Sequence, residues 1–164
     1  MTRTLALAIA LALSPLAALT ACANTPDPAA EAAIAQADWP FAATEVARFN
    51  APWAMTFLSD TTALVTEKGG VLKQVDVATG QAVDVAGVPA VSVGGQGGLG
   101  DVITHPDFAN NRTVYLSYAE EGDNDTRGAA VARARLVDTA NGPALEGLEV
   151  IWRQVPYTTG RGHY

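Results

Sequence analysis

The chain of 164 residues carries 17 acidic against ten basic side chains, a formal net charge of −7, with 15 glycines, nine prolines and a single cysteine. An acidic balance without a basic motif or an aromatic stacking platform excludes a nucleic-acid partner, whose phosphates need a basic face. One cysteine excludes an internal disulfide, and the low charged fraction with abundant Val, Ala and Gly suits β-structure with tight turns.

At the N-terminal end Arg3 precedes an apolar run from Leu5 to Leu13, Ser14-Pro15 interrupts it, and Leu16 to Cys22 follows. This reads as a signal peptide, too short and too alanine-rich for a membrane span. It closes on Leu19-Thr20-Ala21-Cys22, a bulky aliphatic and two small residues before cysteine, which looks like a bacterial lipobox. Residues 1–21 are then a lipoprotein signal peptide cleaved before a lipidated Cys22. The alternative is an ordinary signal peptide with an accidental cysteine. Cleavage removes Arg3 and no acid, which leaves nine basic against 17 acidic residues, a balance of −8.

Residues 22–43 read as the lipidated Cys22 and a flexible tether. Asn24-Thr25-Pro26-Asp27-Pro28 cannot hold a helix or sheet, because proline lacks a backbone donor, and Ala29 to Ala37 has no core-facing stripe. Ala23 after the cysteine resembles the signal for outer-membrane sorting. The expected location is the periplasmic side of a bacterial membrane, the outer one, held by lipid and not by a span.

Residues 44–164 carry period-2 patterning and turn signals that predict eight strands. The first set is Trp53–Leu58, Ala63–Glu67, Val71–Asp76 and Gln81–Ala86, joined through Ser59-Asp60-Thr61, Lys68-Gly69-Gly70 and Ala78-Thr79-Gly80. The second is Leu99–Thr104, Thr113–Ala119, Ala129–Val137 and Glu149–Gln154, with connections over His105–Arg112, Glu120–Gly128 and Asp138–Gly147. A four-strand unit repeated after about fifty residues marks propeller blades. The predicted fold class is therefore all-β: a β-propeller, here about two four-stranded blades of an incomplete ring. Two blades do not bury both faces of each sheet, so apolar blade faces are expected at the surface.

The segment Gly94-Gly95-Gln96-Gly97-Gly98-Leu99-Gly100-Asp101 lifts one polar side chain out of a glycine run and passes directly into an apolar strand. Glycine allows close approach of a ligand to the main chain, and equally a tight crossing of strands with Gln96 merely solvated. Both readings are open on spacing alone.

Gly95-Gln96-Gly97-Gly98-Leu99, then Asp101-Val102 and His105-Pro106-Asp107-Phe108, resemble the soluble quinoprotein glucose/sorbosone dehydrogenases, which include the aldose sugar dehydrogenases. Pro52-Trp53-Ala54-Met55, Leu64 to Gly70, Gly87-Val88-Pro89, Val114 to Tyr118 and Val131-Ala132-Arg133 match in the same order, from Phe49 to Tyr164. The resemblance implies a six-bladed propeller that oxidises an aldose at C1 to the lactone with pyrroloquinoline quinone (PQQ) and calcium, passing electrons to an external acceptor.

It further implies that His163, in Arg161-Gly162-His163-Tyr164, is the general base that takes the C1 hydroxyl proton, and that Gln96 binds substrate. Arg161 departs from the small residue or asparagine usual beside this histidine. The cofactor-binding residues are expected beyond Tyr164 and no metal ligand within the chain. The expectation is thus an N-terminal part of a longer enzyme, inactive by itself. The competing expectation is a non-enzymatic propeller lipoprotein that binds a carbohydrate or a protein.

The other polar residues read as structural. Asp101 is expected to be satisfied by backbone amides, and His105 to sit in a blade corner where Pro106 fixes the turn and Phe108 is buried. Glu67 and Lys68 read as a solvated turn, although the resemblance puts them near the cofactor face. Glu120 to Asp125 reads as a mobile acidic hairpin tip rather than a calcium loop, and Trp53 and Trp152 as packing within blades.

Overall fold

A computed structural model describes residues 40–160. Cys22, most of the expected tether and His163 lie outside the described residues. The compact body begins at Thr44.

The first sheet is an antiparallel meander of β1 (Pro52–Phe57), β2 (Thr62–Glu67), β3 (Val71–Asp76) and β4 (Ala82–Asp84), paired in chain order. The run Thr62-Ala63-Leu64-Val65-Thr66-Glu67 is apolar and β-branched on both faces, and β2 is accordingly the buried inner member of the sheet. The second meander is β5 (Leu99–Thr104), β6 (Thr113–Glu121), β7 (Thr126–Thr139) and β8 (Gly142–Arg153), with a short β9 (Thr158–Thr159) paired to the start of β7. Each is a four-stranded blade. The sheets do not close into a ring.

Two expected connections prove to be largely strand. Asp138–Gly147 is the far end of the β7–β8 hairpin, with Asp138 paired to Pro143 and Leu136 to Leu145. Gly142, with φ of 109°, begins β8 at the hairpin end opposite Thr139, and Gly147, with φ of 64°, lies in a bulge that bends β8 without ending it. Glu120–Gly128 shrinks to a tight turn, because β6 and β7 continue to Glu121 and from Thr126. Conversely, Gln81–Ala86 keeps only Ala82–Asp84 as strand. Within the His105–Arg112 connection lies a single helical turn, α1 (Phe108–Asn111).

The two sheets face each other across one core. Leu64, Leu72 and Val85 from the first meet Leu99, Val102, Val114, Leu116, Leu136 and Leu145 from the second, all buried. Each such aliphatic side chain contributes about 1.5–3 kcal/mol by leaving water. Backbone bonds staple the sheets at two places. Leu99 N donates to Lys68 O at 3.1 Å, and Ala86 bridges β8 through Ala86 N to Pro143 O (3.0 Å) and Leu145 N to Ala86 O (2.8 Å). On the opposite face of the first sheet, Met55 and Phe57 stand more than half exposed beside Val65 and Val75 in an apolar groove of about 540 Å³.

Candidate functional site

The glycine segment crosses the first sheet on its way into β5. A tight turn closes through Gly97 N to Gly94 O (2.7 Å), and Gln96 stands exposed at its tip. Gly98 has a φ of +129°, and a Cβ there would lie 2.2 Å from the Lys68 carbonyl oxygen. A Cβ on Gly97 would lie 2.6 Å from Ser92 O. These two glycines are therefore required by the strand crossing itself. Gln96 is what the crossing presents.

Gln96 opens onto a cleft of about 230 Å³ lined by Trp53, Lys68, Leu99, Ser117 and Tyr118. The Lys68 ammonium donates to the Gly95 carbonyl and so fastens the turn. The bulge between Pro52 and Met55 on β1 leaves Trp53 62% exposed at the cleft wall. Trp53 is thus not packed within a blade as the sequence suggested, and Trp152 is also half exposed. An apolar neighbour pattern alone could not tell a packed indole from one at the mouth of a cleft.

An amide, an ammonium, a hydroxyl and an indole face form a binding surface suited to a polyol, with donors, acceptors and an apolar plane for C–H groups. Burial pushes the Tyr118 phenol above its ordinary range, which keeps it neutral. The described residues lining the cleft include no histidine and no carboxylate. Among the described residues no group of three His, Cys, Asp or Glu side chains converges to hold a metal ion.

The remaining candidates find other roles. Glu67 is buried, not solvated, and its Oε1 accepts from Asn50 N at 2.8 Å. Asp101 Oδ1 accepts the Val102 N–H at 2.9 Å, the backbone role expected of it. His105 Nδ1 accepts from Asp107 N (2.9 Å) and lies 2.8 Å from Asn111 Nδ2, while its ring stacks on Tyr115 at 6.2 Å. With Phe108 buried beneath, the His-Pro-Asp-Phe stretch is a structural corner. Glu120 does not belong to a mobile tip. It lies on β6, accepts Arg153 Nε at 2.6 Å and also accepts the Tyr157 phenol. Sequence reading missed this cluster because Tyr157 arrives from far along the chain.

Residues 49–164 match the family described as Glucose / Sorbosone dehydrogenase. The chain is similar to the aldose sugar dehydrogenase YliI of Escherichia coli, 37% identical over 118 residues, which cover 71% of this chain and 31% of that protein. It also resembles the structure of the soluble aldose sugar dehydrogenase from E. coli in its apo form: 36% identity, TM-score 0.64, 70% of this chain and 33% of that one. The PQQ-bound aldose sugar dehydrogenase of Streptomyces coelicolor shares the fold at 24% identity and a TM-score of 0.52, over 66% of this chain and 32% of that one. The chain spans 31% and 28% of the length of the curated relatives it matches. With the paired four-stranded blades, the crossing glycine loop and the match from Phe49 onward, the chain belongs to the glucose/sorbosone dehydrogenase family of β-propellers.

Proposed function

We propose that this chain takes part in the PQQ-dependent oxidation of an aldose at C1 to the lactone. The observation that carries the reading is Gln96, held at the tip of a glycine turn over a cleft that also offers an ammonium, a hydroxyl and an indole to a sugar. Gln96 hydrogen-bonds a sugar hydroxyl, and the Trp53 indole supports the C–H face of the ring. His163 accepts the proton of the C1 hydroxyl as the C1 hydride departs. An imidazole with a reference pKa near 6.5 accepts a proton readily at neutral pH. When bound, PQQ supplies the two-electron acceptor for that hydride, and an external acceptor regenerates it. The steps assigned here do not pass through a metal.

The decisive experiment reconstitutes the full-length protein with PQQ and calcium and measures dye reduction on a panel of aldoses. His163→Ala is expected to lower kcat by about 10²–10⁴. A folded protein that binds no quinone and oxidises no aldose would sink the enzyme reading and leave a carbohydrate- or protein-binding propeller. The proposed lipid anchor at Cys22, on the periplasmic side of the outer membrane, predicts incorporation of radiolabelled fatty acid that Cys22→Ser abolishes. Equal labelling of the variant would remove Cys22 as the site.

A further inference from the structure

β7 opens on a buried arginine. The Arg127 side chain is 9% exposed, while its charge partner Asp125 is 80% exposed. Nε donates to Ser92 Oγ at 3.0 Å, Nη2 to Asp125 Oδ1 at 2.6 Å, and Nη1 to the carbonyls of Asp125 (3.0 Å) and Gly160 (3.5 Å). An ion pair with an exposed carboxylate does not require burial, and burying a guanidinium is costly unless its donors are used. Here burial brings the fork to Ser92 and Gly160, which belong to two different segments.

Ser92 opens the glycine loop. Its N–H donates to Ala119 O at 2.8 Å, and its carbonyl oxygen is the atom that leaves no room for a Cβ on Gly97, next to Gln96. Gly160 closes the Gln154–Gly160 segment that carries β9, and immediately precedes Arg161-Gly162-His163. That segment is already docked at Tyr157, whose ring covers Gly122 and Gly128 so closely that a Cβ on either would come within 2.4 and 2.6 Å of ring carbons. β9 then pairs Thr158 with Arg127 and Thr159 with Thr126.

We infer that Arg127 is a positioning residue: one guanidinium sets the Gln96 loop relative to Gly160, the residue from which the chain continues to Arg161 and His163. This rests on the roles given to Gln96 and His163 under the proposed function. Two groups that must meet one substrate gain rate from fixed separation, and an error of about 1 Å costs up to 10²-fold.

The test uses the full-length, quinone-reconstituted protein, with rates expressed per bound quinone. Arg127→Lys keeps the charge and loses the fork. It is expected to lower kcat about tenfold or more, to change aldose KM less than kcat, and to displace the acidic limb of the pH–rate profile. Ser92→Ala removes one end of the strut and is expected to lower kcat about threefold, with no further loss when added to Arg127→Lys. Unchanged kcat and acidic limb in folded Arg127→Lys and Ser92→Ala, with only a lower Tm, would overturn the inference. If Arg127→Lys does not fold, Ser92→Ala decides alone. A His163→Ala protein with parental kcat would instead sink the underlying reading, whatever the Arg127 variants do.

Discussion

The glycine loop and the Gln154–Gly160 segment are fastened by opposite means. The first is held by main-chain geometry: Leu99 N on Lys68 O, Ala119 N on Gly98 O, and no space for a Cβ at Gly97 or Gly98. The second adds side chains to its backbone pairing with β7: Arg127 on Gly160, Tyr157 and Arg153 on Glu120, and Gln154 Oε1 on Ala129 N. A main-chain fastening is indifferent to pH and intolerant of any added carbon. The side-chain fastening through Glu120, Arg153 and Tyr157 depends on protonation. Two segments joined through Arg127 thus answer to different perturbations.

The largest expected effect breaks the first kind. Gly98→Ala forces both a left-handed φ and a 2.2 Å contact with a backbone oxygen, and should cost about 3–5 kcal/mol, read by urea or thermal unfolding. That cost should not vary between pH 7 and 4. A loss below about 1 kcal/mol would mean that the crossing relaxes and the glycines are not required by it.

The smaller effect separates the second kind. Tyr157→Phe should cost about 1 kcal/mol. It should also blunt the pH response of the parent. The Arg153 guanidinium, aided by the Tyr157 hydroxyl, holds the Glu120 carboxyl below its ordinary 4.5. Glu120 therefore stabilises the fold fully above pH 4.5 and loses this as pH falls through its folded value. The Tyr157 phenol is raised above 10.0 by its bond to Glu120, so its contribution is full below pH 10.0 and fades as pH rises through the folded value. Amide protection factors at Thr158 and Thr159, corrected for intrinsic exchange, should fall at both extremes in the parent. Protection factors independent of pH, or unaltered by Tyr157→Phe, would show that the Glu120 cluster does not hold the segment.

The same distinction decides what was legible in the sequence. Strands such as Val71–Asp76 and Leu99–Thr104 follow from alternation and turn residues, which are local, and they stand as expected. The glycine turn and the exposed Gln96 follow from local backbone demands too. Gly142, Pro143 and Gly147 misled, because a hairpin end and a bulge inside a long strand use the residues that elsewhere end one. Arg127 passed unnoticed for a different reason. Its partners Ser92 and Gly160 are brought to it only by the pairing of β9 and the loop before β5, which no spacing encodes. Trp53 and Glu67 exchanged their expected environments, since whether an edge residue is covered depends on a segment elsewhere in the chain.

The meander has a consequence for how the protein is made. From β1 to β4, and from β5 to β8, every strand pairs with the one synthesised just before it. Loop-closure entropy for each pairing is correspondingly small, and each sheet can zip in the direction of translation. The bonds between the sheets, such as Leu99 N to Lys68 O and Leu145 N to Ala86 O, and the pairing of β9 with β7 wait for chain made later. A ribosome pausing between β4 and β5 would therefore hold a complete first sheet whose core leucines, Leu64 and Leu72, still lack their cover. That interval is when the nascent chain is most exposed to aggregation, and when a holdase would shelter it.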